Sequence, residues 1–123
     1  EDFSRVIVNL CNNAFDAMRS KFNTLMEKGE DQTFQPVLKI RTRKEMNLVT
    51  TEIEDNGAGI PEPILNRILE PFFTTKKAKE GTGLGLSITH DIVKAHKGTL
   101  AISSTEGEFT RFEITLPSIS STQ

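Results

Sequence analysis

Between Phe3 and Leu25, apolar side chains fall at Phe3, Val6, Ile7, Leu10, Ala14, Ala17, Met18 and Leu25, the three- and four-residue spacing of an amphipathic helix. The stretch that follows, to Pro36, is polar, carries Gly29 and reads as a loop. The period then changes. Val37 to Arg43 and Leu48 to Asp55 are alternating and β-branched, which predicts an antiparallel pair joined through Glu45, Met46 and Asn47. The run from Asp55 to Pro61 cannot continue a strand, and Ile64, Leu65, Ile68 and Leu69 mark a short helix ended by Pro71. From Thr74 to Gly85 the chain holds three lysines and three glycines and no large apolar residue before Leu84, the composition of a mobile lid. A second long helix is predicted from about Leu84 to Lys97, with Gly98 as the left-handed residue that stops it. Two further strands, Thr99 to Ser103 and Phe109 to Leu116, turn at Glu106 and Gly107, and the tail from Pro117 to Gln123 is expected to fray. This order of elements predicts an α/β (α+β) two-layer sandwich, a sheet with helices stacked on one face.

Composition narrows the class without naming a function. The 123 residues suit one domain, and 36% hydrophobic with 26% charged residues suits a globular chain. The net charge of −2 is small, and the basic residues are spread along the chain apart from Lys39, Arg41, Arg43 and Lys44, which argues against a nucleic-acid partner. No apolar run approaches the roughly 20 residues that cross a bilayer, so this domain is expected to stay out of the membrane and to be cytoplasmic, whatever anchors a longer protein. The single cysteine, Cys11, has no second thiol for a disulfide or a zinc motif and reads as a small buried hydrophobe.

Three polar clusters interrupt the apolar pattern. Asn9, Asn13 and Asp16 lie four and three residues apart on one face of the first helix, beside the apolar stripe. Amides placed there either bond to neighbouring backbone, the simpler reading of the pattern alone, or offer neutral oxygens to magnesium. Asp55 shares a strand face with Val49 and Ile53, so its carboxylate points towards the core and needs a donor, which an adenine amino group would supply. Gly57 and Gly59 follow it, and they fit either an ordinary turn or a backbone that approaches a flat ligand. Gly81, Gly83 and Gly85 open the second long helix, which fits a hinge or an anion site at a helix N-terminus. The last run is neither a P-loop nor a dinucleotide fingerprint.

The motifs NLCNNA, DNGAGI, EPFFTTK and GTGLGL, in this order and with these gaps, closely resemble the GHKL ATPase superfamily and, within it, the catalytic and ATP-binding domain of bacterial two-component sensor histidine kinases. The resemblance runs from about Phe3 to Pro117. It implies a Bergerat-type fold with a mixed, mostly antiparallel sheet, a kinase domain over residues 1–117 that lacks a strand ahead of the first helix, and a tail at 118–123. By resemblance Asn13 is the magnesium ligand, Asn9 faces the same metal and phosphates, and Asp55 binds the adenine amino group, with Gly57 and Gly59 as the first glycine box at the nucleotide. Phe72 and Phe73 match the phenylalanine box, Lys76 a lid residue near the phosphates, Gly81, Gly83 and Gly85 the second glycine box, and Thr110 a threonine near the adenine. Ile60, Thr75, Thr82, Leu84 and Leu86 fall within the same motifs and are expected at the nucleotide. The implied catalytic residues are Asn9, Asn13 and Lys76, and the implied cofactors are ATP and magnesium.

Two positions depart from the pattern: Phe109 stands where many relatives have glycine, and Asp16 where many kinases have lysine, so Asp16 is not counted as a ligand. Asn9 decides the branch. The hydrolysing members carry a glutamate there as general base, and an amide cannot take a proton from water. The resemblance therefore implies transfer of the ATP γ-phosphoryl group to a histidine. His90 and His96 lie in and at the end of the second long helix and fit no acceptor motif, so the acceptor is expected on an upstream dimerisation domain, with a response regulator as the next partner. A nucleotide-binding regulatory module without transfer activity, or a hydrolysing ATPase, are the alternatives.

Overall fold

Helix α1 (Ser4–Glu27) buries Val6, Leu10, Ala14 and Met18, one residue in four, and lays that row on a sheet. The computed structural model describes residues 3–29, 34–65, 67 and 85–117. Strands β1 (Leu38–Glu45) and β2 (Leu48–Asp55) are followed by a single helical turn, α2 (Glu62–Leu65). Helix α3 (Gly85–Ala95) then leads into β3 (Thr99–Thr105) and β4 (Phe109–Pro117). The sheet runs β1-β2-β4-β3, and every pairing among the described residues is antiparallel, as in the mostly antiparallel sheet expected.

Register sorts the two faces. Ile53 pairs with Phe112 and Thr51 with Ile114, so the apolar residues of the two central strands rise on one side. There Ile53, Phe112 and Ile114 pack against Val6 and Leu10 of α1 and Ile92 and Val93 of α3, and these buried side chains form the core. Each such side chain stabilises the fold by about 1.5–3 kcal/mol through the apolar area it removes from water. The other face is a lattice of charge. Arg41 reaches Glu52 at 3.0 Å, Arg111 reaches Glu54 at 2.9 Å and Arg43 reaches Glu113 at 3.5 Å. Arg41 and Arg43 of the basic cluster on β1 are thus answered by acids on β2 and β4, as expected of a solvated strand face.

Two turns differ from the sequence reading. The connection between β1 and β2 is only Met46 and Asn47, because Glu45 still pairs with Leu48. At the end of α3 the left-handed residue is Lys97, with φ 63°, and not Gly98. Gly98 donates to Val93 O at 2.9 Å in the closing turn, and the helix ends at Ala95, two residues before the expected Lys97. Gly98 meets a different demand: a Cβ on it would lie 2.6 Å from Thr115 O. The strand needs a residue without a side chain there, so the left-handed position falls to its neighbour. Phe109, by contrast, is an ordinary strand residue paired with Thr105, and Gly107, with φ 84°, makes the turn. Of the remaining expectations, the second half of the short helix at Ile68, Leu69 and Pro71, the lid from Thr74 to Leu84 and the tail at 118–123 lie outside the described residues.

Candidate functional site

Asn9, Asn13, Ala17 and Lys21 follow one another at four-residue intervals along α1, in a row that winds slowly around the helix. At one end of this row, Asn9 Nδ2 donates to the hydroxyl of Thr89 at 3.3 Å, and Thr89 is fully buried on α3. One turn on, Asn13 Nδ2 is buried without a hydrogen-bond partner among the described residues. A buried amide left unsatisfied costs about 1–3 kcal/mol, so a polar group placed here would relieve a standing penalty. Asp16, next to the row, turns to Arg19 at 3.1 Å.

The other end of the row meets the turn after β2. Ala17 O accepts from Ala58 N at 3.2 Å, and Ala58 O accepts from Gly107 N at 2.6 Å, which ties α1, this turn and the β3–β4 hairpin together. Gly57 and Gly59 allow that packing. A Cβ on Gly57 would lie 2.6 Å from the carbonyl carbon of Ala17, and Gly59, with φ 73°, would drive a Cβ into Thr105 O and the Cα of Glu106. Of the two readings of these glycines, a turn or a close approach to a ligand, the contacts among the described residues are those of a turn packed on protein backbone.

Asp55 ends β2 between Leu38 of β1 and Thr110 of β4, and it is 3% exposed. Its Oδ1 accepts from Gly57 N at 2.7 Å, the only hydrogen bond the carboxylate makes among the described residues. Burial pushes its carboxyl up to about 6; the Gly57 amide opposes this, Glu54 adds to it and Lys21 opposes it. Thr110 is buried beside it, as its strand position predicted, and its Oγ1 lies 3.1 Å from Ser104 Oγ. Ser104 gives its one hydroxyl hydrogen to Phe109 O at 2.7 Å and accepts from Ile60 N at 2.8 Å. Thr110 is therefore the donor in the pair, and its hydroxyl oxygen keeps lone pairs that can accept.

The site thus has a carboxylate and a hydroxyl at one end of α1 and two amides towards the other. Residues 1–120 match the family described as histidine kinase-, DNA gyrase B- and HSP90-like ATPases. The chain belongs to that ATPase family. It is 42% identical over 116 residues to the sensor kinase CckA of Brucella abortus (strain 2308), covering 94% of this chain and 12% of that protein. It is 35% identical over 113 residues to sporulation kinase A of Bacillus subtilis (strain 168), covering 92% of this chain and 16% of that protein. The chain therefore spans only a small part of these curated relatives. Among solved structures, the catalytic domain of the histidine kinase ThkA matches with a TM-score of 0.69 and 30% identity, over 92% of this chain and 64% of that one. The mycobacterial sensor histidine kinase MprB, at 24% identity and a TM-score of 0.70, shares the fold.

Of the family residues expected at the nucleotide, the structure brings Ile60 and Thr110 together through Ser104, pairs Asp55 with Thr110 across the strands and sets Asn9 and Asn13 on the adjoining helix. Leu86 lies on α3, partly buried against the core, and Gly85 is the first residue of that helix. Phe72, Phe73, Thr75, Lys76, Gly81, Thr82, Gly83 and Leu84 lie outside the described residues. Sequence reasoning missed Lys21, Asn56, Thr89 and Ser104. Only Ser104 carried a signal, as an inward-facing polar residue on a strand; a lysine on a helix reads as solvated until its partners are known. His96 Nδ1 is bonded to Ile92 O at 2.8 Å, and its ring meets Phe3 edge-on at 5.7 Å. His90 Nδ1 lies 3.8 Å from Asp91. No helix among the described residues is long and apolar enough to cross a membrane.

Proposed function

We propose that this chain is the ATP-binding catalytic domain of a sensor histidine kinase and passes the γ-phosphoryl group of ATP to a histidine on a separate dimerisation domain. The observation that carries the nucleotide reading is the Asp55 carboxylate: buried, fixed at Oδ1 by one backbone amide, and backed by an acceptor hydroxyl at Thr110. An exocyclic amino group, uncharged and with two N–H donors, complements this pair. A guanine carbonyl in the same place would face acceptors and be repelled, so the site favours adenine.

The phosphates would lie towards Asn9 and Asn13. Among the described residues no group of three His, Cys, Asp or Glu side chains could hold a metal, so magnesium would be held by amide oxygen and by the phosphates themselves. Asn13 Nδ2, buried without a hydrogen-bond partner among the described residues, is a donor that suits a phosphate oxygen, and the oxygen of the same amide would be the one to face magnesium. Magnesium would neutralise phosphate charge. Lys76, Phe72, Phe73 and the glycines at 81, 83 and 85 are proposed, on the family pattern, to close over the nucleotide.

In the transfer, an unprotonated imidazole nitrogen attacks the γ-phosphorus. The new N–P bond forms as the bond to the bridging oxygen breaks, and ADP leaves with that electron pair. The attacking nitrogen carries no proton, so no general base is needed, and Asn9, held as a donor to Thr89, supplies none. The domain would work in the cytoplasm, with a response regulator receiving the phosphoryl group afterwards. The test is to incubate the chain with radiolabelled ATP and its native dimerisation domain. Acid-labile, base-stable label on that domain is expected; rapid steady-state hydrolysis by the chain alone, with no label transferred, overturns the assignment.

A further inference from the structure

Lys21 extends from α1 to three segments that are remote in sequence. Its Nζ donates to Asn56 O at 3.2 Å and to Gly107 O at 3.0 Å, and it sits 4.8 Å from the centre of the Phe34 ring. The ammonium therefore joins the turn after β2, the β3–β4 hairpin and the segment leading into β1. Asn56 strengthens the same junction, because its side chain accepts from Val37 N at 2.9 Å and donates to Gln35 O at 3.0 Å.

The first of these bonds bears on the site. Asn56 C=O and Gly57 N–H belong to one planar peptide group and point in opposite directions. Lys21 holds the carbonyl end, and the amide end donates to Asp55 Oδ1 at 2.7 Å. A cation on the carbonyl fixes the tilt of the plane and polarises the N–H, which strengthens the bond to the carboxylate. Among the charged groups acting on Asp55, Glu54 on its own strand is repulsive and Lys21 on α1 is attractive.

We propose that Lys21 is a positioning residue for adenine recognition, holding Asp55 through the Asn56–Gly57 peptide in the orientation that meets the base. Lys21 touches neither base nor phosphate in this arrangement; it acts through a single peptide group. The inference rests on the reading of Asp55 as the adenine acceptor, and its test separates the two.

The experiment is a double-mutant cycle with Lys21→Met and Asp55→Asn, read by calorimetry with magnesium–ATP, alongside NMR titration of the Asp55 carboxyl without nucleotide. Lys21→Met is expected to weaken ATP roughly five-fold in the wild-type background and to have little further effect when Asp55 is already Asn. Without nucleotide, its Asp55 titration midpoint should rise above the wild-type value, and Lys21→Arg should restore both readouts. If Lys21→Met costs the same factor in both backgrounds, or leaves the Asp55 titration unmoved, the positioning role is wrong. Should the wild-type chain bind no adenine nucleotide while the titration still shifts, the nucleotide reading fails and the peptide relay stands.

Discussion

The amide hydrogen of Gly57 points at Asp55 Oδ1, 2.7 Å away, so the residue that makes the turn also grips the carboxylate that ends the strand. The grip holds one oxygen in place and leaves adenine recognition to the rest of the group.

Replacing Asp55 by Asn keeps an oxygen for Gly57 but can present an amide N–H where the base needs an acceptor. ATP binding is expected to weaken by about ten-fold or more, as for loss of a charge-assisted hydrogen bond. GTP, which does not complement the carboxylate, should lose nothing. Calorimetry with both nucleotides checks this, and equal losses would remove Asp55 from base recognition.

The Asp55 carboxyl sits near 6 in the fold, against 3.8 ordinarily. Between these values the folded chain binds the proton more tightly than the unfolded chain, so this group's contribution to stability is present below about 3.8 and is lost as pH rises through about 6. Relative to wild type, Asp55→Asn should therefore gain thermal stability between pH 4 and pH 7, to a degree that plateaus above the upper value. A difference in Tm that does not change with pH contradicts this.

Gly57→Ala should destabilise the chain by about 3 kcal/mol, because the new Cβ meets the backbone of Ala17, which has no soft direction in which to yield. Gly107→Ala is the control. Its φ of 84° strains an alanine, but nothing lies within 4 Å of the added carbon, so about 1 kcal/mol is expected. Urea denaturation of both variants tests the order, and equal costs would mean that the turn is not packed on α1.

Asn13→Ala removes a buried amide nitrogen that has no partner among the described residues, so stability without ligand should change by less than about 1 kcal/mol. Nucleotide binding should behave differently: affinity measured with magnesium is expected to fall, while affinity measured in a chelator is unchanged. A loss of the same size in both conditions would place Asn13 on the nucleotide and not on its metal.

The fold was largely legible in the sequence because its signals are local and repetitive. The row Val6, Leu10, Ala14 and Met18 and the alternation from Thr110 to Leu116 each define a buried face without reference to the other. Errors arose where a residue answered to a distant strand. Gly98 looked like the left-handed helix stop and serves as a gap for Thr115, while the packing of Gly57 and Gly59 on a helix and a hairpin could not be read from the turn signal alone. In the site, Asp55 and Thr110 could be found from strand parity. Lys21 could not, since both carbonyls it binds lie far along the chain, on Asn56 and Gly107.

The row of Asn9, Asn13, Ala17 and Lys21 makes α1 a fixed scale against which the ligand is measured. Its twelve residue steps span about 18 Å at the rise of an α-helix. Rotational phase matters as much as length. One residue inserted between Asn13 and Ala17 would turn the two halves by about 100° relative to each other, leaving each set of contacts intact in chemistry but facing the wrong way. Substitutions on this stretch of α1 can be repaired by neighbours; a shift in its frame cannot.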